Sequence, residues 1–261
     1  MQTKIFSVVN QKGGVGKTTT AINLSTAFAL NNNKVLLIDL DPQGNTSTGL
    51  GIEIQQRQKT IYEVLIEEIE INDAIIPTKI KNLKIITATV DLSAFDIEVA
   101  NFENREFLLH KKIQNIIKNF DIIIIDCPPS LGLLTINALV ASNGVLIPMQ
   151  CEFFSLEGLS HLLTSIDLIK ENFNSELNIS GIILTMHDKR NKLTEQVEKD
   201  VRSFLGCKVY KNHIPRNVKL SEAPSYGIPG ILYDIKSLGA KYYQELAIEI
   251  LEKCNINQYN D

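Results

Sequence analysis

A glycine-rich loop near the amino terminus constrains this chain more than any other feature. Residues 11–19 contain three glycines followed by a lysine and two threonines, and they come directly after the mostly apolar run 5–9. Backbone N–H groups in such a loop can turn inward onto an anion, and a following helix adds the positive end of its dipole. The order strand, glycine loop, helix is the context of a phosphate-binding loop. The sequence therefore predicts that the chain binds a nucleoside triphosphate.

Two lysines flank the glycines of this loop. Lys17 is placed to reach the β- and γ-phosphates, and the Thr18 hydroxyl is placed to bind Mg²⁺. Position 11, where the general pattern has its first glycine, holds glutamine, and Lys12 precedes the glycines. The block 12–19 resembles the deviant Walker A motif of the ParA/MinD family of ATPases, in which the first lysine contacts phosphate across a dimer interface. The resemblance implies nucleotide binding by Lys12, Gly13, Gly14, Val15, Gly16, Lys17, Thr18 and Thr19.

Two further apolar runs end in carboxylates that would complete such a site. The run 35–38 is followed by Asp39 and Asp41, and the run 122–125 is followed by Asp126. The first resembles the family's D-x-D-P-Q motif, which implies that Asp41 orients or activates the attacking water and that Asp39 supports Mg²⁺. The second has the Walker B pattern, whose aspartate would accept from a Mg²⁺-bound water or from Thr18. The predicted catalytic residues are Lys12, Lys17 and Asp41, and the predicted magnesium residues are Thr18, Asp39 and Asp126.

Apolar runs alternate with helix-like segments along the chain. The four isoleucines 122–125 do not alternate with polar residues, which indicates a strand buried on both faces of a parallel sheet. We predict an α/β fold with a doubly wound, mostly parallel sheet, helices on both faces and a single domain over 1–261. The polar segment 44–58 is predicted to be a mobile loop followed by the start of a helix. The predicted strands are 4–10, 34–39, 83–88, 121–126, 144–150, 179–186 and 208–214, and the predicted helices are 18–30, 105–119, 156–171, 194–204 and 238–253.

Composition excludes several classes of protein. The chain has 261 residues, a net charge of −4 and 44% hydrophobic residues, values typical of a globular protein. We expect neither a signal peptide nor a membrane-spanning helix, because the first strand begins at once and the apolar runs are short. The four cysteines and four histidines are scattered, without a C-x-x-C pair, so we expect free thiols and no metal bound by these residues. A cytoplasmic location is expected.

Two later segments extend the resemblance to the ParA/Soj branch of the family. Residues 150–158 and 214–225 both look like signatures of that branch, and the match runs from about residue 4 to the final helix. In this family the region of Pro215 and Asn217 contacts adenine. The resemblance therefore implies that the nucleotide is ATP and that Mg²⁺ accompanies it.

The charge along the chain is uneven. Residues 187–219 carry nine basic and four acidic side chains, a net charge of +5, which leaves −9 for the rest of the chain. A basic segment on an acidic protein is a plausible contact surface for phosphates. By resemblance, Arg190, Arg216 and Lys219 align with positions that contact DNA in ParA/Soj proteins. The implied function is a DNA-segregation ATPase: an ATP-bound homodimer holds DNA nonspecifically on the nucleoid, and a ParB-type partner stimulates hydrolysis and release.

Three alternatives compete with this interpretation. A MinD-like membrane-positioning ATPase would end in a basic amphipathic helix, whereas the last helix here carries Glu245, Glu249 and Glu252, and the tail 255–261 is polar. An electron-transfer or iron–sulfur protein would need paired cysteines, which Cys127 and Cys151 do not provide. An amidoligase-type metabolic enzyme would need a substrate pocket that the sequence does not identify. The MinD-like ATPase remains the nearest alternative.

Overall fold

A mostly parallel sheet forms the centre of the molecule. The computed structural model describes residues 2–152 and 155–254. The strands are β1 (Lys4–Val8), β2 (Val35–Asp39), β3 (Ile75–Pro77), β4 (Leu83–Ile86), β5 (Ile122–Asp126), β6 (Gly144–Gln150) and β7 (Asn178–Thr185). Among the described residues these seven strands lie in the order β3-β4-β2-β5-β1-β6-β7, and only the β3–β4 pair is antiparallel.

Helices cover both faces of the sheet. Within the described ranges the α-helices are α1 (Lys17–Leu30), α2 (Asn45–Gly49), α3 (Ile61–Leu65), α4 (Ile71–Ala74), α5 (Phe95–Glu98), α6 (Leu108–Gln114), α7 (Leu133–Ala141), α8 (Ser155–Asn172), α9 (Lys192–Leu205), α10 (Val218–Glu222), α11 (Gly230–Tyr233) and α12 (Leu238–Lys253). One apolar cluster joins a sheet face to α6, α7 and α8, and a second joins the other face to α1 and α12.

The central strand β5 shows why the sequence pattern is continuous rather than alternating. All of its residues are buried. Ile123 and Ile125 belong to the apolar cluster on one face, and Ile122 and Ile124 belong to the cluster on the other. Successive side chains of a strand point to opposite faces, so a strand covered on both sides is apolar at every position. The predicted doubly wound α/β fold is confirmed.

The sheet order brings the predicted phosphate loop and the predicted carboxylates to one edge. β5 lies between β1 and β2, with Val8 opposite Asp126 on one side and Asp39 opposite Asp126 on the other. In an open α/β sheet, ligands bind outside the carboxyl ends of the strands, where the direction of the chain connections reverses. Because β5 lies between them, β2 is not the direct neighbour of β1. Asp126 ends the middle strand of these three.

One predicted strand is wrong. Segment 208–214 forms no strand, although isolated bridges at Val209 and Pro215 connect this part of the chain to the region of β7, and the N–H groups of Tyr210 and Ile214 donate to β7 oxygens (3.0 and 2.8 Å). The backbone N–H of Lys211 donates instead to the carboxylate of Glu249 on α12 (2.9 Å). A side chain thus satisfies the amide that a strand would have used in a ladder.

Two helical predictions also differ from the structure. Within 105–119 only α6 is α-helical, and short 3₁₀ turns lie on both sides of it. Within 44–58 the short helix α2 begins at Asn45, and its Thr46 and Ser47 are buried. Strand β3 and helix α7 were not predicted, because β3 has three residues and α7 is apolar on nearly every side.

Asn174 offers a test of how the carboxyl end of α7 is held. Its side-chain amide donates to the backbone oxygens of Leu139, Val140 and Ser142 (3.0, 3.1 and 2.7 Å). Asn174→Ala leaves these carbonyls without that donor, so we expect a loss of about 1–3 kcal/mol in the free energy of unfolding. Urea denaturation measures the loss.

The matched control for this prediction is Asn172→Ala. The Asn172 amide makes a single exposed hydrogen bond to Leu168 within its own helix, so its removal should cost no more than about 0.5 kcal/mol. Equal stability of the two variants would contradict the assigned role of Asn174.

Candidate functional site

The glycine-rich loop joins β1 to α1 and leaves open space beside its backbone. Gly14 and Gly16 have φ values of 74° and 90°, in the left-handed region that favours glycine. A Cβ atom built on Gly13 or Gly14 would meet no heavy atom within 4 Å. An anion can therefore approach the N–H groups of this loop without displacing protein atoms.

Two neighbouring strands hold the loop in this shape. Gln150, at the end of β6, donates its side-chain amide to the Gly14 oxygen (3.0 Å). Thr185, at the end of β7, donates its hydroxyl to the Val15 oxygen (2.7 Å). Neither side chain was predicted from the sequence to have a role. Their position at strand ends on the ligand edge of the sheet was the available signal.

Lys17 is a buried cation at the start of α1. Its side chain donates to the Lys12 oxygen (3.1 Å), and the residue is only 7% exposed. Burial lowers the pKa of Lys17, while the carboxylates of Asp126 and Asp41 act in the opposite direction. Among the described residues no carboxylate lies within 4.0 Å of its ammonium group. A desolvated ammonium group in this position suits a bound anion.

Asp126 joins two helices through one carboxylate oxygen. Its Oδ2 accepts hydrogen bonds from Thr18 on α1 (2.8 Å) and from Thr46 on α2 (2.6 Å). Its Oδ1 is buried and has no hydrogen-bond partner among the described residues. Burial, with a smaller contribution from Asp39, raises the pKa of this carboxyl group to about 7. A buried carboxylate oxygen without a donor, next to a threonine hydroxyl, fits Mg²⁺ or a water bound to it.

Asp39 and Asp41 face different partners. The Asp39 carboxylate accepts from the backbone N–H and the hydroxyl of Ser47 (2.8 and 2.6 Å), and burial raises its pKa to about 6. Asp41 is 8% exposed and accepts from the backbone N–H of Gln43 (2.9 Å). Asp39 is thus tied mainly to α2, whereas Asp41 retains one carboxylate oxygen with no side-chain donor among the described residues. Thr46 and Ser47, which were predicted to lie in a loop, are part of this site.

The second lysine of the loop pairs with a carboxylate in the same chain. Lys12 forms an ion pair with Glu152, and the two side chains are 46% and 50% exposed. Glu152 belongs to the predicted signature 150–158, of which residues 153 and 154 lie outside the described residues. Lys12 therefore lies at the rim of the loop, while Lys17 lies inside it.

A cavity of about 110 Å³ opens beside the loop. Its walls include both residues predicted to contact adenine, Pro215 and Asn217. The Asn217 side chain also caps α10 by accepting from the backbone N–H of Lys219 (2.9 Å). Gly16, Thr19 and Arg216 also line this cavity.

Of the three residues predicted to contact DNA, Arg216 lines this cavity, and the other two carry local counter-charges. Arg190 is 90% exposed at its side chain and makes two hydrogen bonds to Asp188 (3.0 and 2.9 Å), which lower the pKa of Asp188 to about 2. Lys219 pairs with Glu222 (2.9 Å). Arg216 is exposed and has no carboxylate within 4.0 Å among the described residues.

Within the part of the chain that the structure describes, every helix is too short or too polar to cross a membrane.

Comparison with known proteins places the chain in a family. A family model described as an AAA domain matches residues 3–179. The chromosome partitioning protein ParA of Caulobacter vibrioides is 49% identical over 252 residues, covering 96% of this chain and 94% of that protein. The sporulation initiation inhibitor protein Soj of Bacillus subtilis is 49% identical over 247 residues, covering 95% of this chain and 98% of that protein.

A solved structure shares the fold over nearly the whole chain. It is the cobyrinic acid a,c-diamide synthase of Mycobacterium smegmatis with bound ADP and magnesium. Its TM-score is 0.86 at 32% sequence identity, with 97% of this chain and 96% of that chain covered.

The two buried carboxyl groups predict a pH dependence of stability in the metal-free protein. The pKa values of Asp39 and Asp126 are raised to about 6 and about 7. Between about pH 4 and pH 7 the folded chain therefore holds protons that the unfolded chain has released. Because the folded state binds more protons, the free energy of unfolding falls as the pH rises through this window and levels off above it.

Urea unfolding of the wild type and of Asp126→Asn at several pH values measures this effect. The stability of the wild type relative to the variant should fall by something on the order of 3 kcal/mol between pH 4 and pH 8. A difference that does not change with pH would contradict the raised pKa of Asp126.

Proposed function

This chain belongs to the ParA/Soj family of chromosome-partitioning ATPases, and on that premise we propose that it is an ATP-dependent DNA-segregation ATPase. Its single domain over 1–261 would close into a dimer on ATP, hold DNA without sequence preference and release it on hydrolysis stimulated by a ParB-type partner. The observation that carries the proposal is the position of Lys12. It lies half exposed at the rim of a loop that already has Lys17 inside it.

Nucleotide binding in this proposal uses the loop and the adjacent cavity. Lys17 and the N–H groups of residues 13–19 would hold the β- and γ-phosphates. Pro215 and Asn217, which line the cavity beside Gly16 and Thr19, would contact the adenine. The cobyrinic acid a,c-diamide synthase of M. smegmatis, to which this chain is similar, holds ADP and magnesium. That similarity supports the choice of ligand.

The magnesium end of the site would be formed by Thr18 and Asp126. The Thr18 hydroxyl would turn from Asp126 to the metal, and the unpartnered Oδ1 of Asp126 would accept from a metal-bound water. Asp39 would support this arrangement through Ser47 and α2. Bound magnesium would supply charge neutralisation at the phosphate oxygens.

Asp41 is the proposed water-positioning group. It lies just past the end of β2 and has a low exposure of 8%, and it is not bound by any of the threonine hydroxyls that hold Asp126. A carboxylate near the phosphates that keeps an acceptor oxygen can orient an attacking water. Hydrolysis rather than binding is the step that this residue would control.

Lys12 would act on the nucleotide of a second copy of the chain. Its ion pair with Glu152 is half exposed, so exchanging that carboxylate for a phosphate of the partner requires little free energy. Lys17 already serves the phosphates of its own chain. The second lysine therefore favours a closed dimer over a simple monomeric nucleotide hydrolase.

Lys12→Ala should separate ATP binding from dimer formation. We expect the monomer to keep its ATP affinity within about threefold, because Lys17 is retained, while ATP-dependent dimerisation is lost. Glu152→Gln, which releases Lys12, should dimerise at least as well as the wild type. Sedimentation with a non-hydrolysable ATP analogue measures the dimerisation of both variants.

The matched control is Lys59→Ala, which removes an exposed lysine that is paired with Asp73 at 3.9 Å. It should dimerise like the wild type. Normal ATP-dependent dimerisation of the Lys12 variant would show that the second lysine has no role across an interface.

DNA binding would use the cations around the end of β7. The bridge between His187 and Pro215 brings the chain just before Arg190 beside Arg216, and Lys219 follows on α10. Each protomer offers few phosphate contacts, so a closed dimer that presents two such sets would gain avidity. The cargo would be a chromosomal region or a plasmid.

Substitutions of Arg190 and of Asp188 are expected to change DNA affinity in opposite directions. Arg190→Gln should weaken binding and reduce the slope of log affinity against log salt by about one unit for each phosphate that the variant no longer neutralises. Asp188→Asn should strengthen binding, because it removes the carboxylate that neutralises Arg190 while keeping a side-chain oxygen for the Arg190 N–H. Co-sedimentation with duplex DNA in ATP, ADP and no nucleotide measures both.

Arg105→Gln is the control, because this arginine lies outside the segment 187–219 and pairs with Glu106. Its DNA binding should match that of the wild type. Equal binding in ATP and ADP, or unchanged affinity in both test variants, would remove this basic surface from the mechanism.

The likeness to the cobyrinic acid synthase does not change this choice. That chain is 32% identical, whereas the partitioning proteins are 49% identical over a similar length. ATP turnover that depends on cobyrinic acid and ignores DNA would replace the present proposal. Binding to anionic vesicles in place of DNA would instead favour the MinD-like alternative.

A further inference from the structure

Arg57 is a buried arginine whose partners are all neutral oxygens. Only 8% of the residue is exposed. Its Nε and Nη2 donate to the Ile52 oxygen (3.1 and 2.7 Å), and Nη2 also donates to the Thr48 hydroxyl (2.8 Å). Its Nη1 donates to the backbone oxygens of Gly44 and Ala88 (3.2 and 3.3 Å). Among the described residues no carboxylate lies within 4.0 Å, so the guanidinium group organises the backbone rather than forming an ion pair.

The acceptors of Arg57 surround the short helix α2. Gly44 precedes the helix, Thr48 lies within it, and Ile52 follows it. Ala88 lies two residues past the end of β4. Helix α2 has five residues, and its N-cap residue, Gly44, has no side chain with which to cap it; the Asp39 carboxylate accepts from one first-turn N–H, that of Ser47. A helix of this length needs support from outside its own hydrogen bonds. The Arg57 side chain supplies that support from the next segment of the chain.

Gly44 shows how closely the two groups fit. Its φ is 61°, and a Cβ atom built on it would lie 2.6 Å from Arg57 Nη1 and 2.9 Å from the Ala88 oxygen. A larger residue at this position would push the guanidinium group away from its acceptors. The glycine at the start of α2 and the arginine after it thus form one packed unit.

Helix α2 carries the two hydroxyl groups that hold the buried carboxylates. Thr46 donates to Asp126 and Ser47 donates to Asp39, both at 2.6 Å. The backbone N–H of Ala88 donates in turn to the Ser47 hydroxyl (3.2 Å). Ala88 is therefore bound to Arg57 through its oxygen and to Ser47 through its N–H. A continuous set of hydrogen bonds leads from Arg57 through Ala88 and Ser47 to Asp39.

We propose that Arg57 is a positioning residue for ATP hydrolysis, one that fixes α2 so that Thr46 and Ser47 hold Asp126 and Asp39 in place. This inference rests on the proposed ATPase function. Arg57 lines neither the glycine loop nor the adjacent cavity, so it acts on the rate of the reaction and the use of Mg²⁺ rather than on the affinity for ATP. A lysine cannot replace it, because one ammonium group does not span four acceptors that a planar guanidinium reaches together.

Steady-state hydrolysis by Arg57→Lys and Arg57→Gln tests the proposal. We expect kcat to fall at least about tenfold, the ATP concentration for half-saturation to change less than about threefold, and the Mg²⁺ concentration for half-maximal rate to rise. Gly44→Ala perturbs the same contact from the other side and should give the same pattern. The double variant Gly44→Ala with Arg57→Lys should be no worse than the more impaired single variant.

The control for a general loss of stability is Asn174→Ala. It also removes a side chain that donates to several backbone carbonyls, but at the end of α7. It should melt earlier and hydrolyse ATP at the wild-type rate. A similar loss of kcat in this control would reduce Arg57 to a general structural role and overturn the proposal.

Two other results would overturn the role of Arg57 while leaving the proposed function intact. One is a kcat within twofold of the wild type in folded Arg57 variants. The other is a loss confined to half-saturation by ATP. If Arg57→Gln does not fold, Arg57→Lys and Gly44→Ala decide between the outcomes. A wild-type chain that does not hydrolyse ATP would instead contradict the proposed function itself.

Discussion

The candidate site depends on the hydrogen bonds to the buried carboxylate of Asp126. This carboxylate lies at the end of β5 in the middle of the sheet, and one of its oxygens accepts from Thr18 on α1 and Thr46 on α2. Two helices that follow the strands on either side of β5 are thereby fixed to the same atom. The other oxygen has no donor in the part of the chain that the structure describes, and burial raises the pKa of the group to about 7. In the absence of a cation the site is therefore held together at an electrostatic cost, which a bound metal would offset.

The residues around the site are drawn from the ends of several strands. Gln150 and Thr185 hold the backbone of the glycine loop, and Ser47 and Arg57 hold the segment after β2. Charged groups follow directly from these anchors, with Glu152 two residues past the end of β6 and Asp188 three residues past the end of β7. A displacement of the glycine loop would therefore shift both Glu152 and Asp188. This geometry links the proposed nucleotide site to the proposed dimer and DNA surfaces.

The sequence predicted the parts of this arrangement whose chemistry is local. The glycine loop with Lys17 and the apolar run ending in Asp126 each carry their own pattern. Thr46 and Ser47 carry no such pattern, because the polar segment that contains them resembles an exposed loop. Their role follows only from the sheet order, which brings Asp126 on β5 next to β2. Segment 208–214 looked like a strand because Val209 and Tyr210 are apolar, but Glu249, distant in sequence, binds the Lys211 amide. The contacts that were missed join residues far apart in the chain, which periodicity does not report.

Three of the four cations proposed for intermolecular contacts share one physical property. Lys12, Arg190 and Lys219 each lie at the surface in an ion pair with a carboxylate of the same chain: Glu152, Asp188 and Glu222, respectively. Exposed pairs of this kind contribute about 0–1 kcal/mol each, so a phosphate can replace the carboxylate at small cost. While the pairs persist, however, they screen the cations from distant anions. We infer that an isolated protomer attracts polyanions weakly and that useful affinity needs several exchanges together. A closed dimer, which doubles the number of exchangeable pairs, meets that requirement without any new contact within the protomer.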